Sequence, residues 1–249
     1  CIYPDKRTVP FVSSLPPATK GSQPTDGGNL LVTLEDFAEV SADPIAAKYL
    51  RLFRQGQDLL NGGERWCLWL VNASPAELAS SPVIRKRLAA VADERRRSKT
   101  ESVRQQAATP SLFTQNRQPA VEYLALPEVS SERRNIVPAA FLSADVIAGN
   151  QLITIGGAPK WLLGFLQSSM WSVWLRTVGG RLESRIRFSP DLTYCTFPFP
   201  EMDERGLDRV DSAVDAVLAA RTAFPDSTLA QLYDPLLMPS GLVKAHGAL

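Results

Sequence analysis

Hydrophobic residues in this chain fall into short runs separated by proline, glycine and small polar residues. Runs of strand length, rich in aromatic and aliphatic side chains, predict buried strands. These runs lie at 30–33, 65–71, 121–126, 152–155 and 192–197. The polar breaks between them are typical of turns.

Apolar positions at helical spacing predict a second set of elements. Asp43-Pro44 is typical of a helix start, and the apolar residues that follow predict a helix ending at Asn61-Gly62-Gly63. Ser74-Pro75 and Ser81-Pro82 begin two more helices, the second extending over about 82–104. Further helices and helical turns are predicted at 158–178, 203–223, 227–232 and 240–245.

The composition of the chain changes near residue 200. Residues 1–27 are rich in proline, glycine, serine and threonine, which predicts an extended lead-in, whereas helical patterns alone follow residue 200. We therefore expect an α+β fold: a mixed domain with short strands and several helices, then a small α-helical C-terminal region. The length of 249 residues allows one or two domains. Since the chain begins with Cys and not Met, we expect it to be part of a longer protein.

The net charge of +1 conceals an uneven distribution. Residues 201–249 hold eight acidic and four basic residues, whereas residues 85–104 hold eight basic and three acidic ones. Most of the basic residues are arginines, whose guanidinium groups bind phosphate oxygens in a bidentate way. A basic stripe of this kind is the expected footprint of nucleic-acid binding. The alternative is a solvated helix face.

Several kinds of active site lack the residues they need. The sequence has no GxxxxGK(S/T) loop, no GxGxxG, no GxSxG and no Glu-x-Lys of a PD–ExK nuclease. Its only Pro-Pro pair, Pro16-Pro17, lacks the asparagine and aromatic ring of an amino-methylating loop. One histidine, His246, and three cysteines without a CxxC pair argue against a metal site and favour a reducing, cytoplasmic compartment.

A series of short blocks runs in order along nearly the whole chain. The blocks are TDGGNLL at 25–31, NG at 61–62, RWCLWL at 65–70, VSSERRNIVP at 129–138, FLQSSM at 165–170, VGGRL at 178–182, YCTFPFP at 194–200, LAQLYDP at 229–235, Met238-Pro239 and Ala245-His246. In this order and spacing they resemble the C-terminal part of the MmeI-like type IIL restriction–modification enzymes. Two positions depart from the family. Trp171 stands where some members have histidine, and Cys195 stands where asparagine is usual.

In that family, one polypeptide joins a nuclease, a helical connector, an S-adenosylmethionine-dependent N6-adenine methyltransferase, a target recognition domain and a helical tail. The resemblance implies a lead-in from the methyltransferase side at 1–27, a DNA target recognition domain at 28–200 and the helical C-terminal region at 201–249. The catalytic domains would lie outside this chain. We therefore expect no enzymatic activity and no cofactor here, with S-adenosylmethionine and Mg²⁺ serving the missing domains. The expected partners are double-stranded DNA and the methyltransferase domain of the same polypeptide, with no membrane.

Two polar segments suit the reading of base edges, since arginine pairs best with guanine, asparagine or glutamine with adenine, and glutamate with cytosine. The first, just after a predicted strand, consists of Ser131, Glu132, Arg133, Arg134 and Asn135. The second consists of Gln115, Asn116 and Arg117. The alternatives are a surface turn in which an arginine pairs with Glu128 or Glu132, and a polar linker before Pro119.

Further basic residues suit a groove or the phosphate backbone. Arg181, Arg185 and Arg187 would share one face if residues 181–187 formed a single strand. A solvated edge strand with Glu183 as ion-pair partner is the alternative. The candidate phosphate contacts, which would position the protein without reading sequence, are Arg85, Arg87, Arg95, Arg96, Arg97, Lys99 and Arg104. The five tryptophans lie in apolar runs and are expected to pack in the core.

A protein-interaction module that docks another subunit, with incidental DNA contact, is the alternative function. The acidic C-terminal region with its alanine-rich helix fits that alternative. An enzyme is the third possibility. A steep salt dependence of DNA binding distinguishes the first two, and thermal stabilisation by S-adenosylmethionine identifies the third.

Overall fold

The computed structural model describes residues 5–12 and 14–249. Within these residues, short strands form three sheets and helices pack around them. The strands are β1 (Ala18–Lys20), β2 (Leu31–Val32), β3 (Leu50–Arg54), β4 (Trp66–Leu68), β5 (Tyr123–Pro127), β6 (Val129–Ser130), β7 (Ala140–Leu142), β8 (Ile147–Ala148), β9 (Leu152–Gly156), β10 (Gly180–Leu182) and β11 (Arg185–Arg187). The helices are α1 (Leu34–Ala42), α2 (Pro44–Lys48), α3 (Gly56–Asn61), α4 (Pro75–Ser80), α5 (Pro82–Arg96), α6 (Glu101–Gln105), α7 (Lys160–Gln167), α8 (Ser169–Val178), α9 (Glu204–Thr222), α10 (Leu229–Leu232) and α11 (Ser240–His246). The mixed α+β class predicted from the sequence is confirmed.

The central sheet has the strand order β1-β9-β5-β7 and is antiparallel throughout. Since successive side chains on a strand face opposite sides, β5 divides its residues between two cores. Leu124 and Leu126 pack in the main core with α7 and α8, whereas Tyr123 and Ala125 face a smaller cluster with Leu59 of α3. β1 pairs with β9, so the described part of the N-terminal segment is built into this sheet.

A second sheet, of order β2-β4-β3-β8, encloses a second core. The helices α4 and α5 flank it and begin as the sequence predicts. The side chains of Ser74 and Ser81 accept hydrogen bonds from the backbone N–H groups of Glu77 and Ile84, and a proline follows each serine. These caps satisfy N–H groups that a helix leaves unpaired at its start.

The third sheet, of order β10-β11-β6, is small and lies next to the central sheet. β5 and β6 are separated by one residue, Glu128, so the chain passes directly from one sheet to the other. β10 and β11 form a hairpin whose turn is Glu183-Ser184, with Glu183 at φ +58°. A positive φ is the usual requirement of such a tight two-residue turn.

Of the C-terminal helices, α9 packs on α7, α11 packs on α9 and α10 packs on α3. Gly164 in α7 permits the close approach of α9, because a Cβ atom at that position would lie 2.6 Å from Val210 Cγ1 and 2.9 Å from Val214 Cγ2. The last helices enclose a cluster of Val217, Leu232, Tyr233 and Leu242. No helix in the described ranges is both long and apolar enough to cross a membrane.

Three predicted helices differ from the structure in their extent. The helix predicted from Asp43 ends at Lys48, and residues 50–54 form strand β3 instead. The helix predicted over 82–104 ends at Arg96, and α6 follows it. The helix predicted over 158–178 is interrupted at Ser168, whose hydroxyl oxygen accepts a hydrogen bond from Trp171 N and caps a new helix.

The strand predicted at 192–197 is wrong. Residues Pro190–Tyr194 form a π-helical turn, in which Cys195 N donates to Pro190 O. The apolar run instead supplies rings to the main core, where Phe197 packs edge-to-face against Trp171 and Phe199. The run was apolar because it is buried, and burial alone does not distinguish a strand from a buried turn.

Candidate nucleic-acid interface

Glu128 stands at the corner where the central and third sheets meet. Its backbone N–H donates to Gln151 O and its carbonyl oxygen accepts from Phe188 N, both at 2.8 Å. The corner is therefore fixed by backbone bonds to the residue that follows β11 and to the turn before β9. In front of it lies an open cleft of about 490 Å³.

Side chains from four separate segments line this cleft. Three of them, Ser131, Arg134 and Arg185, are candidates predicted from the sequence, and the structure brings them together. Three further polar residues were not predicted as site residues: Gln57 of α3, Glu128 and Gln151. The cleft thus combines hydroxyl, amide, carboxylate and guanidinium groups, which are the groups that match base edges.

Arg134 differs from the other cleft residues in having a buried polar side-chain atom without a partner in the described part of the chain. Its Nε is buried and has no hydrogen-bond partner among the described residues. Burial lowers the pKa of Arg134, and the Asp234 carboxylate opposes that shift, but a guanidinium stays protonated in any case. Its loop is held by Arg176, which donates to the carbonyl oxygens of Glu132 and Arg134. Arg134 is therefore a cation in a loop of fixed position, and its Nε–H group has no acceptor among the described residues.

The other residues of the same loop point elsewhere. Glu132, Arg133 and Asn135 are exposed and do not line the cleft. The proposed ion pair between this loop and Glu128 is absent from the described contacts, because Glu128 binds Lys20 and Arg187 instead, each at 2.8 Å.

The hairpin corrects the prediction of one arginine row. In the β10–β11 pair, Arg181 lies opposite Ile186, whereas Arg185 lies opposite Leu182. Opposed residues in an antiparallel pair share a face, so Arg185 and Arg187 lie on one face and Arg181 on the other. The prediction assumed one continuous strand, in which every second residue faces the same side. A turn at Glu183-Ser184 interrupts the strand, so Arg181 no longer shares a face with Arg185 and Arg187.

The segment Gln115, Asn116 and Arg117 is exposed and joins the turn that precedes β9. Arg117 N donates to Ser22 Oγ, and Ser22 N donates to Ala148 O at 2.7 Å. Gln151, at the end of that turn, lines the cleft. The segment is therefore connected to the cleft's edge, although none of its three side chains lines it.

Arg95 is not a phosphate contact, contrary to the prediction. It is 1% exposed. Its guanidinium donates to five backbone carbonyl oxygens, those of Pro24, Thr25, Gln106, Thr109 and Leu112. Because all its donors are used inside the fold, Arg95 joins the segment before β2 to the segment after α6.

The other basic residues of this region differ in how free they are. Arg87 is half-buried, donates to Asn29 O and Leu31 O, and pairs with Asp36 at 2.9 Å. Of the predicted phosphate contacts, the exposed residues are Arg85, Arg96, Arg97, Lys99 and Arg104. Arg96 pairs with Asp93, and Arg104 donates to two carbonyl oxygens. None of them lines the cleft, so they form a separate basic surface along α5, α6 and the turn between them.

The five tryptophans pack in or against the two main cores, as predicted. Cys67 and Cys195 are buried thiols, and burial raises the pKa of both. Cys1 lies outside the described residues. Residues 5–12 and 14–249 contain no group of three or more His, Cys, Asp and Glu placed to hold a metal ion.

Comparison with known proteins identifies the class to which this fold belongs. Residues 3–201 match the family described as MmeI, target recognition domain, and residues 202–249 match the MmeI C-terminal domain. The chain therefore belongs to the MmeI target recognition domain family, and the resemblance found in the sequence is confirmed.

Two relatives make the likeness specific. The type IIL restriction–modification enzyme MmeI, whose structure was solved in complex with DNA, is 40% identical with a TM-score of 0.96, over 99% of this chain and 33% of that one. DNA methyltransferase A of Bacillus subtilis (strain 168) is 35% identical over 246 residues, which are 98% of this chain and 28% of that protein. The chain thus spans a third or less of these relatives.

Proposed function

We propose that this chain recognises a specific sequence in double-stranded DNA on behalf of a longer methyltransferase or restriction–modification polypeptide. The observation that carries the proposal is the convergence of Ser131 and Arg134 with Arg185 on one cleft. These residues come from a loop and a hairpin that the sequence separates by about fifty residues. Family membership and the DNA complex of MmeI support the same function.

The cleft residues divide the reading task by their chemistry. Arg134 and Arg185 would each contact a guanine, whose O6 and N7 accept a guanidinium fork. Gln57 and Gln151 would donate to and accept from adenine, and Ser131 suits either base type. Arg134 would carry the most discrimination, because it lines the cleft and Arg176 holds its loop in place.

The exposed basic surface of α5 and α6 would bind phosphates. Arg97 and Lys99 carry charge that is exposed to solvent, and counterion release on neutralising phosphates supplies affinity without sequence preference. Affinity and specificity would therefore be carried by different parts of the chain.

The methyl-transfer and cleavage activities of the relatives would reside in other parts of the polypeptide. We assign no catalytic step to this chain, and none of its described residues to S-adenosylmethionine or Mg²⁺. The methyltransferase part would be its protein partner. An apolar surface of Met170, Val173 and Trp174 on α8, continued by Pro198, is available for that contact.

Fluorescence anisotropy of the whole chain with a random duplex, at two salt concentrations, tests DNA binding. We expect affinity to fall by about a hundredfold or more between 50 and 200 mM salt if several phosphates are neutralised. No binding at the lower salt concentration, or binding that salt does not weaken, would contradict the proposal. A protein-docking module with incidental DNA contact would give that second result.

A further inference from the structure

A chain of buried polar groups connects the C-terminal helices to the loop that carries Arg134. It begins at His246 in α11, whose Nε2 lies 2.8 Å from the hydroxyl of Tyr233. The same hydroxyl accepts hydrogen bonds from Nε and Nη2 of Arg221 in α9. Arg221 and Tyr233 are 9% and 3% exposed, so the link lies inside the protein.

From Arg221 the chain of contacts reaches the end of the cleft loop. Arg221 Nη1 donates to Ala139 O at 2.8 Å, and Nη2 donates to Gln167 Oε1 at 2.7 Å. Gln167 in turn donates from Nε2 to Val137 O at 3.2 Å. Arg221 therefore holds Ala139 O directly and Val137 O through Gln167. Both carbonyl oxygens lie just after the loop that carries Arg134.

A second route runs from Tyr233 to the loop. Asp234, the next residue, acts electrostatically on Arg134. Ile136 packs against the cluster that contains Tyr233. The loop therefore contacts the C-terminal region through the apolar side chain of Ile136, in addition to the hydrogen bonds of Arg221.

This arrangement is costly unless it is complete. No carboxylate pairs with Arg221 among the described residues; its partners are a hydroxyl, an amide oxygen and a carbonyl oxygen. A buried guanidinium with only neutral acceptors depends on every one of them. At the other end of the loop, Arg176 already holds Glu132 O and Arg134 O. These two hydrogen bonds would be enough if the loop only had to be kept folded.

We infer that the C-terminal helical region sets the position of the sequence-reading loop, with Arg221 and Tyr233 as positioning residues for Arg134. This inference rests on the proposed function. It assigns to α9–α11 a role in specificity, exerted through residues 137–139, without any contact between these helices and a base.

The test compares three variants of the whole chain. Tyr233→Phe removes one hydroxyl and keeps the ring, so it retains the apolar packing. Arg221→Lys keeps the charge and loses the fork. Val214→Ala is the matched control, because Val214 is a buried residue of the same helix that lies against Gly164 of α7 and belongs to the main core, not to the cluster around Tyr233. Hydrogen exchange of amides 131–137 and the ratio of affinities for a preferred site and its single-base variants are measured for each.

We expect Tyr233→Phe and Arg221→Lys to speed amide exchange in the loop and to reduce discrimination at one or two base pairs by about fivefold or more. Affinity for a random duplex should change by less than about twofold, since no phosphate contact is lost. Val214→Ala should leave both the loop exchange and the discrimination at the wild-type level.

If Tyr233→Phe and Arg221→Lys discriminate between DNA sites as well as the wild type does, the inference is overturned, whereas the proposed function is not. Equal loss in all three variants would also overturn it, because general destabilisation would then suffice. A wild-type chain without any sequence preference would overturn the proposed function, and this inference with it.

Discussion

Arg187 binds Glu128 through two nitrogens, with Nε 2.9 Å and Nη2 2.8 Å from the same carboxylate oxygen, Oε1. Lys20 reaches that oxygen at 2.8 Å. One carboxylate therefore connects β1, the corner between two sheets and the hairpin that carries Arg185. Its side chain is 12% exposed, whereas those of the two cations are 47% and 38% exposed, so solvent screens the anion less than it screens the cations.

Replacing Glu128 by glutamine should release both cations at the edge of the cleft. We expect a modest loss of stability, about 1 kcal/mol, because the cations are exposed. Affinity for random duplexes should rise, since the local charge becomes more positive, while discrimination between sites should fall. Urea unfolding and duplex titrations measure the two effects, and a more discriminating variant would contradict the assignment.

Replacing Arg134 by alanine should relax specificity at one base pair, with a cost of about 1–3 kcal/mol for the preferred site. Arg133→Ala is the matched control, because Arg133 is adjacent, exposed and outside the cleft. We expect the control to weaken all duplexes alike. Titrations against a preferred site and its single-base variants distinguish the two, and unchanged preference in Arg134→Ala would remove it from the reading set.

Replacing Arg96 and Arg97 together by alanine should weaken binding to every duplex alike. The slope of log affinity against log salt should flatten by about 2 at most, because no more than two phosphates lose their cation. Anisotropy over a salt series measures the slope. A loss confined to particular sequences would show that this surface reads bases.

Replacing Arg95 by alanine should destabilise the fold, by about 3 kcal/mol or more, since five carbonyl oxygens lose their donor and a side chain that is 1% exposed is removed from the interior. The neighbouring Arg96→Ala should change stability by about 0.5 kcal/mol or less, as expected for an exposed residue. The urea midpoint measures both. Equal midpoints would mean that Arg95 does not stabilise the fold in this way.

His246 should make stability depend on pH. Burial, together with the charge of Arg221, lowers its pKa to about 4. His246 takes up a proton near pH 6.5 in the unfolded chain and near pH 4 in the folded one. Between these values the unfolded state binds more protons, so the free energy of unfolding falls as the pH drops from 6.5 to 4. The contribution is at most about 3 kcal/mol. His246→Gln should show a flatter profile than the wild type between pH 6.5 and 4, and parallel profiles would refute the assignment.

The elements that the sequence predicts well are those with local signals. Ser74 and Ser81 predict the starts of α4 and α5, because an N-cap involves only residues within the first turn of the helix. Residues 50–54 were predicted as helix because Leu52 and Phe53 continue a helical spacing from Ile45. They form a strand because β4 and β8 lie on either side of them, and pairing of that kind depends on distant residues.

The candidate site was predicted in part, for the same physical reason. Arg134 was selected because arginine suits guanine whatever its surroundings, and Arg185 was selected as part of an alternating row of arginines suited to a groove. Arg95 looks identical to Arg96 in sequence, yet its carbonyl partners lie at 24–25 and 106–112, which the local pattern does not bring together. Gln57 and Gln151 had no signal of their own, because only the corner at Glu128 places them at the cleft.

Selection of duplexes from a randomised pool by the whole chain, followed by sequencing of the bound fraction, is the sharpest test of sequence recognition by this chain. We predict enrichment of one short motif at low salt, with the preference at one of its base pairs lost for Arg134→Ala. A bound fraction whose sequences match the starting pool would show instead that the chain binds DNA without reading its sequence.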